Sequence, residues 1–324
     1  MRKPTKSTSQ LSQALNVLSS ILKDEGSILE THILLNNKWA ICQNGVIGMG
    51  EPIQEDLIAA PNGWLLREAL AKCGEAFSLT QLPNSLSLKA GKFKASIPCI
   101  PIEDLQSSFP DPLIAPINDA FKISLNAVAP LALDENSVVT ASVLIDGGTI
   151  TATDRKVIIQ HWHGIDLPPE LTLPKSLIKP LLNNPKKLIG FGFGKSSCTF
   201  HYEDTSWLKT QFFAEKWPDI NSILDKKTNA HNLPEDFYTG LEAVAPFSED
   251  GFIYCDSNLM KSHESEEDAS YEVYGLPAGP VLNIKQLKML KPFIKTIDFL
   301  VPHGNHKMAI WYGDQCRGAI AGRV

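Results

Sequence analysis

The sequence predicts an α+β protein made of three tandem modules, each with two helices packed on antiparallel strands. Three observations predict it. The stretch "LNVLSSILKDEG" from Leu15 returns as "LNAVAPLALDEN" from Leu125 and as "LEAVAPFSEDGF" from Leu241, at intervals of 110 and 116 residues. Each copy has Leu first, an apolar residue three on (Leu18, Val128, Val244) and Asp nine on (Asp24, Asp134, Asp250). A second helical pattern follows each copy, over 63–74, 174–187 and 282–295, with starts 111 and 108 residues apart. An aromatic-Pro-Asp marks the exit from the first two repeats, as Phe109-Pro110-Asp111 and Trp217-Pro218-Asp219, 108 residues apart. Self-similarity at a fixed period marks repeated structural units. The repeats divide the chain into modules at 1–116, 117–228 and 229–324.

The elements follow in order. "MRKPTKSTSQ" has basic residues and no apolar run behind it, so it reads as a frayed tail rather than a secretory signal. Leu11, Leu15, Leu18 and Leu22 fall at i, i+4, i+7 and i+11, the spacing of one helix face. Residues 63–74 give the second helix, and "SLSLKAGKFKASIP" (85–98) reads strand, Gly turn, strand. In the second module Pro130 stops or kinks the first helix, and Pro174 suits the first position of the next. Residues 187–213 read as three short strands, with a hairpin turn at Gly194-Lys195-Ser196. In the third, the first helix meets Pro246, the second covers 282–295, and 299–324 again reads as three strands. The proline of each aromatic-Pro-Asp ends a strand and stiffens the crossing to the next module.

Composition excludes several classes. The apolar fraction of 43% and charged fraction of 20% are those of a soluble globular protein. No apolar run reaches membrane-spanning length, so no membrane partner is expected. Six cysteines lie no closer than 26 residues apart, which is neither a zinc nor a redox pattern and suits free thiols in a reducing cytoplasm. "GFGFGKSS" (190–197) lacks the first glycine of a nucleotide loop, Ile189 standing there, and no helix pattern follows. His161 and His163 share a strand face as a metal pair could, but no third ligand is evident. No nucleophile–base or paired-carboxylate arrangement rises above chance. The expectation is a protein without catalytic residues, metal or cofactor.

Charge is segregated. Residues 174–187 carry Lys175, Lys179, Lys186 and Lys187 and no acid; residues 282–295 carry Lys285, Lys288, Lys291 and Lys295 and no acid. The six predicted helices together carry +7, which leaves −13 on the rest against a net charge of −6. The helix over 234–246, at −3, is the exception. A net acidic chain has no whole-surface basic field, yet these eight lysines form a local one. Such a surface suits phosphates, bound by counterion release without base reading.

Three tandem modules with basic helices and acidic remainder resemble the bacterial-type sliding clamp, the beta-subunit family of DNA polymerase processivity factors. "GGTITATDRKVI" (147–158) is similar to that family's second-module signature, "KWPDINSIL" (216–224) to its Phe-Pro-Asp-Tyr segment, and "AIAGRV" (319–324) to its short apolar tail with Arg next to last. The resemblance covers nearly the whole chain and is most specific at 139–224 and at the C-terminus. The chain is shorter than typical bacterial members, which suits a phage-encoded version. The resemblance implies a homodimer closing head-to-tail into a six-module ring. Double-stranded DNA would be encircled without sequence specificity, with the replicative polymerase and a clamp loader as partners. It also implies a peptide pocket lined by Val139, Thr153, Arg155, Lys156, Ile158, Pro218, Ser222, Ile223, Ile320, Ala321, Gly322 and Arg323. Where the family has Gly-His-Arg-Leu after Ala-Thr-Asp, this chain has Arg155-Lys156-Val157-Ile158, and Ala321 and Gly322 replace bulkier residues. A shallower pocket with a different peptide preference is expected. The alternative is a clamp-fold interaction scaffold that does not encircle DNA.

Overall fold

The computed structural model describes residues 9–74, 76–105, 108–133, 137–265, 269–304 and 306–322. Asp134 of the repeat pattern, Arg323 of the expected pocket and the first eight residues of the N-terminal stretch lie outside them. The chain opens with α1 (Gln10–Leu18), α2 (Ile28–Thr31), β1 (Leu34–Asn36), β2 (Trp39–Gln43), β3 (Ile47–Pro52), β4 (Ala60–Pro61) and α3 (Gly63–Ala71). Then come β5 (Ser78–Leu82), β6 (Ser85–Ala90), β7 (Phe93–Ile100), β8 (Leu113–Pro116) and α4 (Asp119–Val128). The middle holds β9 (Ser142–Asp146), β10 (Thr149–Thr153), β11 (Val157–Trp162), β12 (Leu171–Pro174), α5 (Lys175–Asn183), β13 (Leu188–Phe193), β14 (Ser197–Tyr202), β15 (Trp207–Gln211) and α6 (Asn221–Leu224). The rest is β16 (His231–Asn232), α7 (Phe237–Val244), β17 (Phe252–Cys255), β18 (Leu259–Lys261), β19 (Ser270–Glu272), β20 (Val281–Asn283), α8 (Ile284–Leu290), β21 (Thr296–His303), β22 (His306–Gly313) and β23 (Cys316–Ala321).

All six predicted helices are present, and local chemistry explains their limits. α1 buries Leu11, Ala14, Leu15 and Leu18, and the Ser9 hydroxyl accepts the Ser12 amide at its start. Asn62 caps α3 and Asn283 caps α8 in the same way. Pro130 and Pro246 fall in single tight turns, Ala129–Leu131 and Ala245–Phe247, directly after α4 and α7. Pro174 departs from the expected role: it closes β12, and α5 begins at Lys175.

Contacts divide the chain into two compact units, 1–122 with 176–213, and 123–175 with 214–324. The first holds a seven-stranded sheet, β1-β2-β3-β15-β14-β13-β8, and a four-stranded one, β4-β7-β6-β5. β3 and β15 come from different sequence repeats and pair antiparallel, Gly50 opposite Trp207. A Cβ on Gly50 would lie 2.3 Å from the buried Trp207 indole, so only glycine leaves room for that ring. Asp111 of the first aromatic-Pro-Asp is buried here. Its carboxylate accepts from Ser197 Oγ (3.0 Å), Thr199 Oγ1 (3.0 Å) and Lys209 Nζ (2.9 Å), and its amide donates to Thr199 Oγ1 (2.8 Å). Lys209 also donates to the Phe109 carbonyl at 2.9 Å. The motif is a clasp that fastens the exit of the first repeat to β14 and β15.

The second unit holds an eight-stranded sheet, β12-β9-β10-β11-β23-β22-β21-β16, and a four-stranded one, β19-β18-β17-β20. β11 and β23 pair antiparallel, Val157 opposite Ile320 and Ile158 opposite Ala319. His161 and His163 are buried in this unit, and burial pushes both imidazoles toward the neutral form, His163 down to about 4. His161 Nδ1 lies 2.9 Å from Ser124 Oγ, and His163 Nδ1 accepts the Ile165 amide at 3.2 Å. Among the described residues no group of three or more His, Cys, Asp or Glu side chains could hold a metal ion. Likewise, no helix among them is long and apolar enough to cross a membrane.

Candidate functional site

The Ala-Thr-Asp stretch is a turn whose side chains bond their own backbone. Asp154 Oδ1 accepts the amides of Lys156 (2.9 Å) and Val157 (2.7 Å). Thr153 Oγ1 accepts the Arg155 amide (3.0 Å) and donates to the Val157 carbonyl (2.6 Å). Short polar side chains favour such turns because they satisfy amides that a ladder would leave open. Arg155 takes a left-handed backbone, φ +71°, at the position where the resemblance puts glycine. Asp154 Oδ2 accepts Gln286 Nε2 of α8 at 3.3 Å, and Gln286 is itself buried.

This turn forms one bank of a groove of about 160 Å³ within the second unit. The floor follows from strand alternation. Ile158 of β11 lies opposite Ala319 of β23, which lies opposite Ile310 of β22; Ala321 lies opposite Met308, which lies opposite Val301. Val301, Met308, Ile310 and Ala319 join Leu224 of α6 in a buried cluster, with Ile158, Ile223 and Tyr312 packed against it. The groove is lined by Arg155, Lys156, Ile158, Ile223, His303, His306, Lys307, Met308, Ala319, Ala321 and Gly322. A second cavity, about 240 Å³, adjoins it across His306, Lys307, Met308 and Gly322, and reaches Val281, Leu282 and Phe299.

Six of the twelve expected pocket residues meet here: Arg155, Lys156, Ile158, Ile223, Ala321 and Gly322. Arg323 lies outside the described residues, and Val139, Thr153, Pro218, Ser222 and Ile320 do not line the groove. Ile320 is fully buried, one residue out of phase with Ala319 and Ala321, so its side chain leaves by the other sheet face. Thr153 is buried and closes the turn beneath Arg155. Val139 is half-buried in the turn ahead of β9. Pro218 and Ser222 are exposed; Pro218 precedes α6, and Ser222 lies within it and donates its hydroxyl to the Asp219 carbonyl at 2.6 Å. Trp217 Nε1 donates to Ser142 Oγ (3.0 Å), and the Asp219 carboxylate accepts the Asn221 amide at 3.0 Å. Ile223 is thereby presented to the groove. The second aromatic-Pro-Asp thus does a different job from the first: its aspartate opens a helical turn and is exposed. Arg317 secures that turn from below, through Asp225 Oδ1 and Gln160 Oε1, both at 2.7 Å.

Sequence reading missed His303, His306, Lys307, Met308 and Ala319. A signal for Met308 was present. The tight turn at Asp314-Gln315 sets Gly313 opposite Cys316, and counting back along that hairpin sets Met308 opposite Ala321.

The eight lysines expected on a basic surface divide by their partners. Lys179, Lys187, Lys285 and Lys288 are exposed and make no ion pair among the described residues. Lys175 is half-buried at the start of α5. In α5 and α8 the opposite face carries Leu177, Ile178 and Leu181, and Ile284, Leu287 and Leu290, all buried. Lys291 pairs with Glu242 (2.7 Å), which holds that carboxyl below its ordinary range, and Lys295 pairs with Asp314 (2.5 Å). Lys186 departs from the expectation. Its ammonium is turned inward onto the buried Glu51 and onto Asp204 (2.6 Å), so its charge is spent inside the first unit.

No family model and no curated protein matches the sequence. Solved structures match it along its whole length. The beta clamp of Helicobacter pylori, in a structure bound to a DNA ligase peptide, is 16% identical, with 98% of this chain and 99% of that one covered and a TM-score of 0.77. A DNA polymerase sliding clamp from Pseudomonas aeruginosa, solved with a ligand, is 13% identical over 97% of each chain, TM-score 0.77. The DNA polymerase III subunit beta from that organism gives 13% identity over 97% of each chain and 0.75. The chain has the sliding-clamp fold, an α+β architecture with helices packed on antiparallel sheets.

Proposed function

We propose that this chain is a DNA sliding clamp: a non-catalytic cytoplasmic processivity factor that encircles duplex DNA and tethers a replicative polymerase through a peptide groove. The observation that carries the reading is the groove itself. It is built on the Thr153-Asp154 turn, α6 and β23, the three stretches that resemble the clamp family, in a chain whose fold follows clamps from end to end. The chain would act as three modules, 1–116, 117–228 and 229–324, and two chains would close head-to-tail into a ring with the help of a loader. Edge strands supply the means: β5 and β19 each stand at the margin of a four-stranded sheet, where unpaired backbone groups favour strand addition. DNA would be held loosely by Lys179, Lys187, Lys285 and Lys288, through phosphates and without base contacts.

The test is topological. Protein loaded on nicked circular DNA should remain bound through gel filtration and leave once the circle is linearised. Equal loss from both forms, with dimers present by light scattering, would favour a clamp-fold scaffold that does not encircle DNA.

A further inference from the structure

We propose that the groove selects peptides whose apolar anchors are flanked by acidic residues, and that Arg155 and Lys307 are the residues that read the acid. This rests on the reading of the groove as a peptide dock. The floor is apolar, lined by the half-buried Ile158 and Ile223 and the buried Met308. The banks are cationic. Arg155 and Lys156 lie before β11, Lys307 lies on β22, and β23 runs between them with only Ala321 and Gly322 at that level.

Their setting distinguishes these cations: Lys179, Lys187, Lys285 and Lys288 are also without an ion pair among the described residues, but they do not line this groove. The chain carries a net charge of −6, and elsewhere Lys186, Lys209, Lys216, Lys261, Lys291 and Lys295 each sit on a carboxylate. No described carboxylate pairs with Arg155, Lys156 or Lys307. Three uncompensated cations around one apolar groove fit an occupant that brings its own negative charge.

Arg155 gives an independent reason. A non-glycine residue at φ +71° is strained, and it holds that conformation here because Thr153 Oγ1 takes its amide and Asp154 takes the next two. The strain places a guanidinium on the bank, where glycine would have left none. A guanidinium meets a carboxylate through two parallel N–H donors, which an ammonium cannot do. Opposite, Gly322 has no room for a side chain, since a Cβ would lie 2.8 Å from the Lys307 carbonyl.

The experiment is calorimetry on the full chain with two synthetic peptides. One carries Leu and Phe anchors flanked by Asp; the other has Asn in place of every Asp. The Asp peptide should bind about tenfold tighter at low salt, and the ratio should shrink as salt is added. In an Arg155→Gly, Lys307→Gln variant the ratio should approach one, while the Asn peptide binds as before. Arg155→Gly suits the left-handed backbone, and the peptide pair on the unaltered chain needs no variant at all. Equal affinities on the unaltered chain would overturn the acid selection while leaving the dock in place. Binding of neither peptide would overturn the dock as well. A ratio that persists in the double variant would overturn the assignment to Arg155 and Lys307. A single-stranded oligonucleotide that displaces the Asp peptide, and loses that ability in the double variant, would assign the banks to phosphate and overturn the proposal.

Discussion

Replacing Asp154 by Ala removes three accepted hydrogen bonds at one turn, and the structure sets the size of the effect. Two of the bonds come from the amides of Lys156 and Val157, at 2.9 and 2.7 Å. The turn is partly open to water, so each contributes about 1 kcal/mol rather than the larger value of a buried charged acceptor. The third comes from Gln286 Nε2. Gln286 is buried, and leaving its amide without that acceptor costs about 1–2 kcal/mol more. The turn should then open more easily by about 3 kcal/mol, roughly a hundredfold in local equilibrium. Asp154→Asn keeps an oxygen for the two amides and loses mainly the Gln286 bond, so it should cost about 1 kcal/mol. Native-state hydrogen exchange is the suitable assay because it reads this turn without requiring the whole chain to unfold in one step. Exchange at Lys156 and Val157 should rise about a hundredfold in Asp154→Ala and several-fold in Asp154→Asn, with β17 and β18 unchanged. Exchange in Asp154→Ala within about threefold of the parent would refute the claim that this carboxylate holds the groove's bank.

Other outcomes follow from the same reasoning. Asp111→Ala takes the carboxylate from Lys209, which keeps the Phe109 carbonyl, and an acceptor from two hydroxyls in a buried site, so the first unit should lose about 3 kcal/mol in urea unfolding; a loss under about 1 kcal/mol would mean that the clasp is ornamental. His163 is buried with its imidazole pushed down to about 4 from an ordinary 6.5, so the unfolded chain takes up a proton before the native one does. Its contribution is whole above about pH 6.5 and is lost as pH falls toward 4, about 3 kcal/mol in all, and His163→Gln should flatten that slope in a pH series of urea midpoints. Charge reversal of Lys179, Lys187, Lys285 and Lys288 to Glu should shorten polymerase products and speed release from nicked circles, with the oligomeric state by light scattering unchanged. Gly318→Ala would bring a Cβ within 2.4 Å of the buried Trp311 ring and 2.1 Å of the Ile158 carbonyl; a loss of about 1–3 kcal/mol and a disturbed β11–β23 pairing are expected, and an unchanged thermal midpoint would contradict the close packing.

The features legible along the chain are local ones. The Leu11-Leu15-Leu18 spacing sets α1, and the turn at Gly91 joins β6 to β7 with φ +57°. Thr153 and Asp154 close their own turn, and three strands follow one another over 187–213 and again over 299–321. Each of these depends on residues within a few positions of one another, where periodicity and turn chemistry act directly. Tertiary structure alone decided the rest. Lys186 reads as a surface cation until Glu51, 135 residues earlier, takes its charge. Phe109-Pro110-Asp111 and Trp217-Pro218-Asp219 look alike, yet one aspartate is buried under Lys209 and the other is exposed at the head of α6. Ile320 and Ala321 are neighbours, but only Ala321 meets the groove, because the pairing register of β23 with β11 and β22 chooses the face and a shift of one residue inverts it. Register and ion pairing are settled by partners far away in the chain, and no window of sequence contains both members of such a pair.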